Sequence, residues 1–93
     1  MASGKREFDE RAATWDESGP RVEMAKAVAA AIIEEAGPNA DTDVMDFGAG
    51  TGLVALVLQP LVRSITAADT SQGMLAVLGE KVEARGIQNV RTL

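Results

Sequence analysis

The sequence predicts an α/β fold built on a parallel sheet, and three observations carry the prediction. A short apolar run, Val44-Met45-Asp46-Phe47, ends at three alternate glycines, Gly48, Gly50 and Gly52. Strand-like runs then alternate with helix-like ones through the rest of the chain, the signature of βαβ crossovers. An acid, Asp69, closes the second strand-like run, 21 residues beyond Gly48. In folds of this class ligands bind at the carboxyl ends of the strands, which is where the glycines and Asp69 fall.

Ninety-three residues form at most one small domain, and a chain this short buries only about two-thirds of its unfolded surface. The sequence contains neither cysteine nor histidine, so it has no thiolate site, no disulfide and none of the commonest metal ligands and general bases; no metal site is expected. No apolar run reaches membrane-spanning length and the N-terminus does not read as a signal peptide, which makes a cytoplasmic protein the expectation. A net charge of −5, from 14 acids against nine bases, argues against nucleic acid as a partner.

Residues 1–6 are polar and predicted to fray. Phe8 to Glu17 reads as a short helix with Phe8, Ala12 and Trp15 on one face, either an anchor to the body or a lid over a ligand pocket. Residues 1–19 form this lid or anchor segment, and 20–93 the domain proper. Ser18-Gly19-Pro20 opens an amphipathic helix whose apolar positions are Val22, Ala25, Val28 or Ala29, Ile32 and Ala36, and Gly37-Pro38 stops it. Its charged residues form a solvated face.

The run Val44 to Phe47 is a buried strand, and the glycines beyond it permit a sharp turn and close backbone approach to a ligand. A helix leaves the turn from about Thr51 and ends near Gln59, before Pro60. Ser64 to Ala68 is the second strand. Thr70-Ser71-Gln72-Gly73 supplies capping chemistry for a helix over Met74–Arg85, with Leu75, Leu78 and Val82 on one face, and Gly86 closes it. Asn89 to Leu93 begins a third strand.

The glycine spacing allows three readings. A dinucleotide fingerprint, G-x-G-x-x-G, requires glycine at position 53, which is leucine. A plain strand-to-helix turn needs only the glycines. A nucleoside site without a pyrophosphate needs an acid at ribose distance, and Asp69 supplies one: a carboxylate accepts from two vicinal hydroxyls at once. Asp69 also suits capping of the helix that follows it.

With both elements in place, Val44 to Gly52 and Ala68-Asp69-Thr70-Ser71-Gln72-Gly73-Met74-Leu75 together resemble the N-terminal half of a class I S-adenosylmethionine-dependent methyltransferase domain. Phe8 to Asp16 resembles the opening segment of small-molecule methyltransferases of that group. The resemblance implies a Rossmann-like sheet of order 3-2-1, truncated from a seven-stranded fold, in a fragment of a longer protein. It implies S-adenosyl-L-methionine as cofactor and a small-molecule methyl acceptor. Gly48, Ala49 and Gly50, with Gly52 completing the turn, would floor the cofactor site. Asp46 would hold that loop and lie near the cofactor's amino group, its plain alternative being a structural acid bonded to loop amides. Asp69 would bind the ribose, and Thr70 and Met74 would flank the adenine, although the family more often has an apolar residue at the position of Thr70. No catalytic residue is assigned, since the expected substrate-facing half is absent and the chain alone should be inactive. The alternatives are a non-catalytic Rossmann-like fragment or interaction module, and a nucleotide- or dinucleotide-binding domain. In the family's strand order the run Val44–Phe47 would form an exposed edge here, which predicts self-association through it or marginal stability.

Overall fold

A computed structural model of the chain describes residues 3–93. It contains the helices α1 (Ser3–Arg11), α2 (Gly19–Ala36), α3 (Ala55–Leu58) and α4 (Gln72–Ala84), with 3₁₀ turns at Ala12–Glu17 and Gln59–Leu61. The strands are β1 (Asp43–Phe47), β2 (Ser64–Ala68) and β3 (Val90–Thr92). All pairings are parallel and β2 lies at the centre, the predicted order.

Two helices differ from expectation. The first begins at Ser3 and gives way at Ala12 to a 3₁₀ turn; Met1 and Ala2, also predicted to fray, lie outside the described residues. The Thr14 hydroxyl donates back to the Arg11 carbonyl at 3.4 Å, a local bond that competes with the α ladder. The helix after the glycine turn starts at Ala55, not near Thr51. Gly52 sits at φ +85°, in left-handed space that no α-helix contains, so helix can form only beyond it. Pro60 then opens the 3₁₀ turn that ends this element.

The Ser18 hydroxyl accepts from the Arg21 N–H at 3.3 Å at the start of α2, and Gly37 closes that helix in the left-handed conformation. Ala25 and Ala29 are buried, whereas Val28 is exposed and so is Ala36. Their small size lets α2 lie close to α3, where Ala55 is also buried. On α4 the buried stripe is Met74 and Leu78, with Leu75 and Val82 only partly covered.

The core gathers Ala29, Ala55, Leu58, Val62, Ile65 and Val90. In the sheet, Val44, Ile65 and Val90 stand in register and pack together beneath the helices. The alternate residues turn to the opposite face, where Met45 is 51% and Phe47 78% exposed. The register of β1 on β2 is pinned at its start: the Asp43 carboxylate accepts from Arg63 Nε at 2.9 Å and from Ser64 Oγ at 2.7 Å. The Arg63 guanidinium, followed by the Ser64 hydroxyl, holds the Asp43 carboxyl well below the usual carboxylate range.

Candidate functional site

The sheet's carboxyl end is tied together by backbone groups of the glycine turn. Because Phe47 pairs with Ala68, the next residues reach across to β2. The N–H groups of Gly48 and Ala49 both donate to the Ala68 carbonyl, at 2.8 and 3.0 Å. The Gly50 N–H donates to Asp69 Oδ2 at 2.8 Å, and Gly52 closes the turn by donating to the Ala49 carbonyl at 3.0 Å. Gly48 and Gly50 lie at φ +73° and +59°, where a side chain would be strained.

Asp69 is fixed from two sides, its second oxygen accepting from the Ser71 N–H at 2.8 Å. It does not cap α4. Ser71 does, its hydroxyl accepting from the Met74 N–H at 3.1 Å, because Ser71 immediately precedes the helix and Asp69 lies two residues farther back.

An open cleft of about 770 Å³ lies over this end, within the range of small-molecule sites. Among its lining residues are Gly48, Ala49, Gly50, Asp69, Thr70 and Met74. Met74 is only 2% exposed and also belongs to the interior, while Thr70 is exposed at the rim. Two predicted site residues lie outside the lining. Gly52 is buried against Leu78: a Cβ built there meets Leu78 Cδ1 at 2.3 Å.

Asp46 is the other. The loop amides expected of it are taken by the Ala68 carbonyl and Asp69, and among the described residues its carboxylate receives no hydrogen bond. Burial first, and then the charge of Asp69, push its carboxyl above the ordinary value. A carboxyl whose folded pKa is raised favours the fold when protonated, so stability falls as pH rises from the unfolded pKa through the raised one. Asp46→Asn is therefore expected to raise the melting temperature at pH 7 and to leave it unchanged at pH 3. An equal shift at both pH values would show that the charge is not the cause.

The N-terminal segment forms a wall of the cleft through Phe8 and Trp15, whose rings meet edge to face at 5.6 Å. Phe8 remains 44% exposed, so it is Ala12, at 4%, that anchors the segment apolarly. Two acids fasten it further. Asp9 accepts from the Gly73 N–H at 2.8 Å and from the Ser71 hydroxyl, at the start of α4, where a negative charge is favoured. Asp16 accepts from the Thr51 hydroxyl and pairs with Lys81, whose Nζ also donates to the Thr51 carbonyl at 2.8 Å.

The remaining wall comes from α2 and was not legible in the sequence. Arg21, Met24 and Val28 line the cleft, a stripe at helical spacing beside the one that enters the core. The available signal was Met24, an apolar residue off the core stripe.

Comparison with known proteins agrees with this geometry. Residues 45–93 match the methyltransferase domain family. The chain is similar to DhpI solved as a SAM–HEP complex, with 30% identity over 98% of this chain and 40% of that one and a TM-score of 0.73. The DhpI–SAH complex gives 29% identity over 96% and 41% with a TM-score of 0.71. The YcgJ protein of Bacillus subtilis gives 31% identity over 70% and 28% with a TM-score of 0.66. No curated protein matches the chain. The chain thus spans between 28% and 41% of the length of these solved structures. Among the described residues no helix is long and apolar enough to cross a membrane. With more than half of its residues matching the family and a parallel sheet that presents its glycine turn and Asp69 to one cleft, the chain belongs to the methyltransferase domain family, on the Rossmann-like fold its motifs implied.

Proposed function

We propose that the cleft holds S-adenosylmethionine and that the chain is the cofactor-binding part of a methyltransferase acting on a small molecule. One observation carries the reading: Asp69, held at the end of β2 by the amides of Gly50 and Ser71, faces the same cleft as the glycine turn. A carboxylate offers about four lone-pair sites. The two amides take one on each oxygen, which leaves one on each for a pair of vicinal ribose hydroxyls.

The floor fits the same ligand. A Cβ built at Gly48 or Gly50 meets no atom within 4 Å, so the space beside that backbone is open to a bound molecule. Thr70 and Met74 stand next to Asp69 on the cleft wall, as neighbours of the adenine. The cofactor, once bound, supplies an already activated methyl group. What these residues contribute is position and exclusion of water: Asp69 orients the nucleoside, the glycine turn admits the ligand to backbone distance, and Phe8 and Trp15 cover it. Residues 1–19 act in this reading as a lid, and 20–93 as part of the cofactor domain of a longer cytoplasmic enzyme. By itself the chain holds cofactor without turnover. The solved complexes of DhpI with SAM and SAH support the cofactor's identity. Calorimetry with S-adenosylhomocysteine, on this chain and on a longer form, is the test; no heat of binding from either would overturn the reading.

The outer edge of β1 supports self-association as well. Among the described strands β1 pairs only with β2, and its Met45 and Phe47 are exposed without a lysine or proline to blunt the edge. Light scattering is expected to show a dimer or larger assembly, or thermal unfolding a chain of only marginal stability. A monomer with slow hydrogen exchange at Val44–Phe47 would sink this expectation.

A further inference from the structure

We propose that the methyl acceptor is a small acid with an apolar body, and that Arg21 determines this specificity by receiving its anionic group. The inference rests on the cofactor reading above, since it assigns the part of the cleft that the nucleoside does not use. Among the described residues lining the cleft, Arg21 is the one basic residue and Asp69 the only other charged one. Among the described residues no carboxylate pairs with Arg21, in a chain with 14 acids. An unneutralised cation on a cleft wall, in so acidic a chain, is a binding group in search of an anion.

It is also held ready. Its guanidinium carbon sits 3.4 Å from the centroid of the Trp15 ring, a stacked cation–π arrangement. Nη1 donates to the Trp15 carbonyl at 3.1 Å. One of its five N–H donors is thus used for placement, and the others remain in a planar fork that matches a carboxylate. Around it the cleft presents Met24, Val28, Leu53 and Val54, an apolar lining that strengthens a charge-assisted bond and suits an apolar body.

Trp15 is the sole tryptophan and lies against the guanidinium groups of Arg21, at 3.4 Å, and Arg11, at 5.3 Å, so its fluorescence reports on ligands that reach this cluster and the Arg21 variants identify the share due to Arg21. The protein is titrated with 4-phenylbutyrate and with the neutral 4-phenylbutanamide, with and without saturating S-adenosylhomocysteine. The acid is expected to bind roughly tenfold tighter than the amide, as a charge-assisted pair requires. Arg21→Met should abolish that difference, and Arg21→Lys, which keeps charge but not the fork, should retain part of it. Melting temperatures of both variants check that the fold is intact. Equal binding of acid and amide by the unaltered protein, or a difference that survives Arg21→Met, would overturn the proposal. So would Arg21→Met weakening S-adenosylhomocysteine while sparing 5′-methylthioadenosine, which lacks the carboxylate; Arg21 would then hold the cofactor's own acid. If the unaltered protein binds neither adenosyl ligand yet still prefers the acid, the cofactor reading fails and the anion anchor stands.

Discussion

Asp69→Ala is expected to weaken binding of S-adenosylhomocysteine by about 2–4 kcal/mol, the loss of two charge-assisted hydrogen bonds. The residue does two things that the substitution separates poorly and a second variant separates well. Its oxygens bind the Gly50 and Ser71 amides, and in the proposed complex they also accept from the ribose. Asp69→Ala removes both functions, leaving two amides without their acceptor and the glycine turn less firmly placed. Asp69→Asn keeps one carbonyl oxygen and loses the charge, so it should retain part of the turn while still losing affinity. Calorimetry on both variants, with thermal unfolding alongside, is the measurement. Binding of Asp69→Ala as tight as that of the unaltered protein would remove Asp69 from the site.

Gly52→Ala is expected to damage the fold more than any other single change at the turn. The new Cβ would lie 2.3 Å from Leu78 Cδ1, at a position where φ is +85°. Left-handed strain of about 1–2 kcal/mol adds to overpacking of about 1–3 kcal/mol. Leu78 is fully buried and has little freedom to move. In a domain of this size a loss on the order of 2–5 kcal/mol lowers the melting temperature by roughly 8 °C or more. Gly50→Ala is the control: its Cβ meets nothing within 4 Å, so it carries the backbone strain alone and intrudes on ligand space. It should lose more in binding than in melting temperature. Parallel losses in both properties for Gly50→Ala would mean that the glycines serve only the fold, and an unchanged melting temperature for Gly52→Ala would refute the Leu78 contact.

The architecture was legible because it rests on local periodicity. The second strand appeared at Ser64–Ala68, where the structure has it, and the Ser18 and Gly37 boundaries of α2 followed from capping chemistry that acts over three or four residues. The two acids beside the turn show where local reading stops. Asp46 adjoins the glycines in sequence, yet Asp69 takes the Gly50 amide, and only the pairing of Phe47 with Ala68 determines that. Gly73 reads in the sequence as part of a cap, but a Cβ there would meet the Asp9 backbone at 2.9 Å, a constraint from a residue 64 positions away. Arg21 was equally opaque, since a helical cation reads as solvated until its neighbouring indole is placed.

The bonds of Asp16 make the cleft's wall and floor a single mechanical unit. Asp16 belongs to the N-terminal segment and Thr51 to the glycine turn, and Lys81, whose side chain is only 17% exposed, grips both. Swinging the segment away leaves the largely buried Lys81 ammonium without its carboxylate partner, an uncompensated charge that opposes the movement. In the proposed complex, opening this wall requires Asp16 to part from Lys81, and because the pair is partly buried, added salt weakens it far less than it would an exposed ion pair.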